Sequence, residues 1–340
     1  MKKLRHSKYL FLCPLILLMM AALFLAGCSK KKNLTYDGTD MGKLTERSVD
    51  IMGVRYNLYS NGYAEVAAVL NPYFELSESV THEGTSYSVV KIQENNFGGV
   101  SGYGIFNKVG ISSQGLVEAP EHLALPDTLL SLPGYVFAEC TSSSITLPSD
   151  LKYLPLGAFY CCSNLETVEF PDSLEKICAV KLFTGCSSLT SVELPKDVSY
   201  VLSTDYLFSG CSSLQSVTIP GACGGGVLSE RTFADCDVLS EIILEDGITT
   251  IGFRTFHNLP ALEEIVFPDS VTEIKDATFY DCPNLKDVWL SDNLSDIPPH
   301  MFKQSYGNYD ADTSGITIHV KESLVEYTKN LYPDATVVAK

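Results

Sequence analysis

Basic residues are scarce in this sequence. It has 24 Lys and Arg against 41 Asp and Glu, a formal charge of -17 and a pI near 4.7. A protein that tracks a phosphate backbone needs a basic face, so a nucleic-acid partner is excluded. Charged residues of both signs reach only 19% against 45% hydrophobic, which excludes a chain too polar to build a core. Tryptophan occurs once, at 289, and the six histidines show no H-x-x-x-H spacing. There is no G-x-S-x-G elbow, Walker loop or Rossmann fingerprint. The run "GACGGG" at 221–226 lacks the Lys-Ser/Thr of a phosphate loop and reads as a flexible insertion. No catalytic centre, cofactor or metal is expected, and the composition is not that of a multispan membrane protein.

The N-terminus reads as an address. Lys2, Lys3, Arg5 and Lys8 precede an uncharged run from Tyr9 to Leu25 that is interrupted by Pro14. That run is at the short edge for spanning a bilayer, and basic-then-apolar-then-small order suits an export signal. It ends Leu25-Ala26-Gly27-Cys28, which resembles the lipobox of bacterial lipoproteins. The resemblance implies cleavage before Cys28 and acylation of its thiol. Two or more acyl chains anchor stably where one binds only marginally. An uncleaved N-terminal helix or plain signal-peptidase cleavage would also fit the segment. Lys30, Lys31 and Lys32 follow, where each would gain on the order of 1 kcal/mol near anionic headgroups. Residues 1–27 are thus read as a lipoprotein signal peptide and 28–47 as a tether, giving an exported chain held at the bacterial cell surface.

A period near 23 organises the rest. Phe recurs at 137, 159, 183, 208, 233, 256, 279 and 302. Three residues after each stands Cys140, Cys162, Cys186, Cys211, Cys236, Leu259, Cys282 or Ser305. An apolar-x-apolar-Pro phrase leads most units, as in Leu125-Pro126 and Phe267-Pro268. One unit cannot bury its own apolar side chains, but stacked units line them into continuous rows. In Val168-Glu169-Phe170 the alternation predicts Val and Phe inward and Glu outward. The proline after it ends ladder pairing. Strands at ~4.8 Å would make eight rungs about 40 Å long.

These units closely resemble the BspA-type leucine-rich repeat family of bacterial surface proteins. "GCSSL" at 185–189 and 210–214 and "FPDSVTEI" at 267–274 carry the likeness, which covers roughly residues 88–335. It implies a β-rich leucine-rich-repeat solenoid with one short parallel strand per rung. It also implies protein binding or adhesion, with host matrix proteins or other bacteria as partners. An N-terminal β cap is expected over 48–120, hairpin-like over 49–80 and followed by a degenerate first rung at 87–97 that ends in Phe97; the array is expected over 121–305, and a cap with a strand and a short helix over 306–340. The Gly/Ser-rich stretch 98–115 is expected to be an edge loop.

The Cys row invites a metal or disulfide reading. Zinc needs converging ligands, usually paired C-x2–4-C, whereas here one thiol appears per rung. Leu259 fills the same slot, so the slot is apolar, and buried Cys serves as a small hydrophobe. Cys161, Cys178 and Cys223 fall outside the row and are expected to be the sites of any oxidation.

One surface stands out. The outward strand row runs Ala124, Thr146, Glu169, Glu193, Thr218, Ile243, Val266 and Trp289, extending towards His319. Two residues earlier in each unit lie His122, Ser144, Thr167, Ser191, Ser216, Glu241, Glu264 and Asp287. Ile243, Val266 and a solvent-exposed Trp289, flanked by Glu241, Glu264 and Asp287, are the candidate partner-binding residues. The preference of β-branched residues for strands would give part of the same pattern. An accessory or structural envelope lipoprotein linked to polysaccharide handling is the alternative function. One aromatic in the outward row is few for a polysaccharide site, although many tyrosines lie off the strands.

Overall fold

The structure is a computed structural model that describes residues 41–52, 54–69, 76–93, 111–112, 115–116, 120–302 and 312–340. The signal, Cys28 and the tether as far as residue 40 lie outside the described residues, as do Phe97 and most of 98–115.

Each repeat contributes one turn of a solenoid of about ten turns. Its first ladder is the expected one. Strands His122–Ala124, Ser144–Thr146 and Thr167–Glu169 pair in parallel and in register. Ser216–Ile219 pairs with Glu241–Leu244, and Glu264–Val266 with Asp287–Trp289 and then Thr317–Val320. The turns also carry a second, shorter parallel ladder on another face. It runs through Tyr153–Leu154, Lys176–Cys178 and Ser199–Val201, then through Val227–Leu228, Thr250–Ile251 and Glu273–Ile274. The fold class stands, with a second strand added to most turns.

Stacked side chains fill the interior. Phe159, Phe183, Phe208, Phe233 and Phe256 are fully buried, and successive rings from Phe137 to Phe302 stack with centroids 5.3 to 5.9 Å apart. Each such ring contributes roughly 1.5–3 kcal/mol of transfer free energy. The Cys slot lies beside it. Cys162 Sγ donates to the Phe137 carbonyl at 3.0 Å; Cys186, Cys211 and Cys236 repeat the bond one turn further on each time, and Cys282 resumes it past Leu259, all at 2.9–3.1 Å. A thiol is small and apolar enough for the core, yet gives the buried carbonyl a weak donor.

The corner holding Phe is built from alternating left-handed residues. The residue two before Phe has φ of 53–58° at Tyr135, Gly157, Lys181, Tyr206, Arg231, Arg254 and Ala277. The residue two after it has φ of 53–77° at Glu139, Cys161, Gly185, Gly210, Asp235, Asn258 and Asp281. This alternation turns every second N–H towards the next turn. Tyr135, Phe137 and Glu139 donate to the carbonyls of Leu156, Ala158 and Tyr160, and the pattern recurs along the stack. At Gly157 a side chain is excluded twice over: φ is +57°, and a Cβ would lie 2.4 Å from the Tyr135 ring. The "GACGGG" insertion folds as a 3-10 turn, Cys223–Gly226, with Gly224 and Gly225 in left-handed conformations.

The N-terminal cap is a five-stranded sheet and is wider than the hairpin expected over 49–80. Strands β1 (Leu44–Ile51), β2 (Val54–Tyr59) and β3 (Tyr63–Val69) form an antiparallel meander, and β1 begins inside the stretch read as tether. The hairpin β4 (Ser79–His82) and β5 (Thr85–Ile92) joins it, with β5 parallel to β3. The segment read as a degenerate first rung is therefore a strand of the cap. It meets the array through Leu130 N–H, which donates to the Val90 carbonyl at 3.0 Å. At the other end the helix Val325–Leu331 follows Thr317–Val320 as expected. One further strand, Thr336–Ala339, then continues the first ladder in register.

Candidate binding face

The outward row is real, and the register defines it. Val266 pairs with Trp289 and Trp289 with His319, while Glu264 pairs with Asp287 and Asp287 with Thr317. Thr218 pairs with Ile243 and Ser216 with Glu241. In Glu241–Leu244 the alternation is complete: Ile242 and Leu244 are buried, and Ile243 is 48% exposed. Val266 is 54% exposed, beside an almost fully buried Ile265. Ladder hydrogen bonding stops between Glu241–Leu244 and Glu264–Val266, although the two strands still pack side by side. The six strand residues thus share one face but belong to two ladders.

Trp289 departs from expectation. It is half-buried, because the His319 imidazole lies flat on the indole at a centroid distance of 3.5 Å and 3° between planes. His319 Nε2 lies 2.8 Å from Asp287 Oδ1, which fixes that ring in place. The indole Nε1–H is buried without a partner. Asp287 is consequently tied to His319, whereas Glu241 and Glu264 stand exposed. Across the middle of the face the sheet narrows to a single bridge between Glu193 and Thr218. A groove of about 330 Å³ opens there, lined by Glu193, Lys196, Thr218, Glu241 and Ile243 among others. Lys196, on its lining, pairs through Nζ with Glu245 at 2.5 Å. Nothing in residues 191–194 forecasts a broken ladder, so the groove was not legible from the repeat pattern.

The cysteines are packing residues. All nine described ones are free, and burial pushes the thiols of Cys223, Cys236 and Cys282 up to about 12. Cys178 and Cys223 are fully buried, so two of the three positions expected to oxidise are sealed off. Only Cys161, at a left-handed corner, is partly exposed among those three. No group of three or more His, Cys, Asp or Glu that could hold a metal occurs among the described residues. No described helix is long and apolar enough to cross a membrane.

The sequence matches the BspA type leucine rich repeat region in six copies, over residues 119–225 and 204–331. The chain belongs to the BspA-type leucine-rich repeat family. Members of this family are typically surface proteins and generally non-enzymatic scaffolds. No curated protein matches the sequence. Among solved structures it is similar to a leucine-rich repeat protein of T. pallidum, at 23% identity over 64% of this chain and 91% of that one, with a TM-score of 0.47. A leucine-rich repeat protein of Bacteroides ovatus matches at 19% identity over 86% of this chain and 99% of that one, TM-score 0.37. The pneumococcal vaccine antigen PcpA matches at 15% identity over 89% and 100%, TM-score 0.40.

Proposed function

We propose that this BspA-type protein is exported, anchored through lipid on Cys28, and holds an extracellular protein partner on its outward strand face. One observation carries the binding reading. Two exposed aliphatic side chains, Ile243 and Val266, occupy the centre of a flat sheet face whose flank carries the carboxylates Glu241 and Glu264. A lone exposed aliphatic is ordinary, but an apolar centre with a polar rim is the anatomy of an interface. The groove beside Ile243 gives an incoming side chain somewhere to insert. The acidic flank selects a partner that brings Lys or Arg together with apolar groups, and it speeds encounter more than it adds affinity.

The test uses the full chain displayed on cells. Glu241→Lys/Glu264→Lys is expected to slow association with basic matrix glycoproteins and to weaken its dependence on salt. An unchanged association rate would remove the acidic flank from the interface. Anchoring is tested separately: Cys28→Ser is expected to abolish incorporation of labelled fatty acid and release the chain from the membrane fraction. Retention of label would place the lipid elsewhere.

A further inference from the structure

The C-terminal end of the strand face is closed by one side chain. Trp289 pairs with Val266 on one side and with His319 on the other, so the indole stands next in the row after the exposed Val266. His319 covers it, with ring centroids 3.5 Å apart and 3° between planes. The covering ring is held from the strand that carries the indole: His319 Nε2 lies 2.8 Å from Asp287 Oδ1. Asp287 is exposed enough for water to reach the pair.

Two facts argue that this cover can open. The indole Nε1–H is buried beneath it without an acceptor, which disfavours the closed arrangement. Closure therefore depends on the ring stack and on the bond to Asp287, and the strength of both depends on charge. A neutral imidazole can donate from Nε2–H, but an imidazolium also brings opposite charge to the carboxylate and a cation to the indole face. Imidazole is the side chain that ordinarily changes charge between pH 5 and 8. Asp287 is the charged group that His319 meets, with Glu264 one strand beyond it. On the other side Thr336–Ala339 presents no charge. The cations at this end are engaged elsewhere: Lys321 and Lys340 end on Asp292, and Lys329 pairs with Glu326 on the helix.

We propose that His319 is a pH-dependent latch on the strand face, closed over Trp289 when protonated and released when neutral. The inference rests on the reading of that face as the partner-binding surface and adds its regulation. Release does two things at once. It uncovers the indole, which extends the apolar centre formed by Ile243 and Val266 and offers its N–H to an acceptor on the partner. It also frees Asp287 to join Glu241 and Glu264 on the acidic flank. A partner with basic and apolar groups is then held more tightly near neutral pH than in mild acid.

The experiment needs no partner, because Trp289 is the only indole in the chain. Acrylamide quenching of the full chain, taken from fluorescence lifetimes, is compared at about pH 5.5 and about pH 8. The quenching constant is expected to rise about twofold or more at the higher pH. His319→Phe, which keeps a ring over the indole but cannot titrate, should abolish that rise. Asp287→Asn, which removes the charge that the imidazolium meets, should flatten it. The proposal is overturned if the native constant is the same at both pH values, or if His319→Phe shows the native rise. Either result concerns the latch alone. The strand-face reading is tested at one fixed pH by Glu241→Lys/Glu264→Lys and stands or falls separately.

Discussion

His319 stacks on Trp289 with nearly parallel rings and, through the same imidazole, reaches Asp287. One contact therefore ties the last regular turn to the C-terminal cap and shields the only indole in the chain. His319→Ala should shift Trp289 emission to longer wavelength and raise its acrylamide quenching. Unchanged quenching would mean that the imidazole does not cover the ring.

The thiol row gives a chemical test. Cys186 is fully buried and donates to the Phe159 carbonyl. In native protein at pH 8, Cys161 is expected to be alkylated first of the nine described thiols, while Cys178, Cys186 and Cys223 react only on unfolding. Mass mapping of timed alkylation reads this directly, and early labelling of Cys178 or Cys223 would contradict the packing described.

The same thiols set an alkaline limit. Cys223, Cys236 and Cys282 have folded pKa values of about 12 against an ordinary 9.0, because burial disfavours the thiolate. Their contribution is fully present below about pH 9, since both states then hold the proton. As pH rises through the window to about 12 the unfolded chain ionises first, so stability falls. The urea midpoint should drop between pH 8.5 and pH 10.5, and replacing the three by Ala should flatten that drop. A midpoint indifferent to pH in this range would count against it.

At the corner, Gly157→Ala combines a left-handed φ with a clash against Tyr135. We expect a loss of about 1–3 kcal/mol, partly recovered when Tyr135→Ala removes the ring but not the φ. Strict additivity of the two changes in denaturant unfolding would show that ring and Cβ do not meet. In the core, Phe208→Ala should cost about 3–5 kcal/mol, because its neighbours on both sides are held by their own turns and cannot close the gap.

What could be read from the sequence follows from what repeats. Phe208 and Cys211 answer the same demand in every turn, so their rows were legible, and so was the outward setting of Ile243 and Val266. The second ladder was not, because Tyr153–Leu154 or Thr250–Ile251 is too short for an alternation to register. The left-handed corners were hidden because Tyr206, Lys181 and Arg231 have no preference for that conformation. Cys178 and Cys223 fall outside the period, and their burial depends on the second face of the turn. The cover over Trp289 comes from a residue 30 positions away, across the segment 303–311 that lies outside the described residues.

The central claim is that the outward strand face engages a protein partner. Its most direct test is surface plasmon resonance of the full chain and of Ile243→Ser/Val266→Ser/Trp289→Ser against matrix glycoproteins, with thermal unfolding measured on both. The account expects a bound partner whose affinity for the variant falls at least about tenfold while the folded solenoid persists. Equal affinity of a folded variant would contradict it.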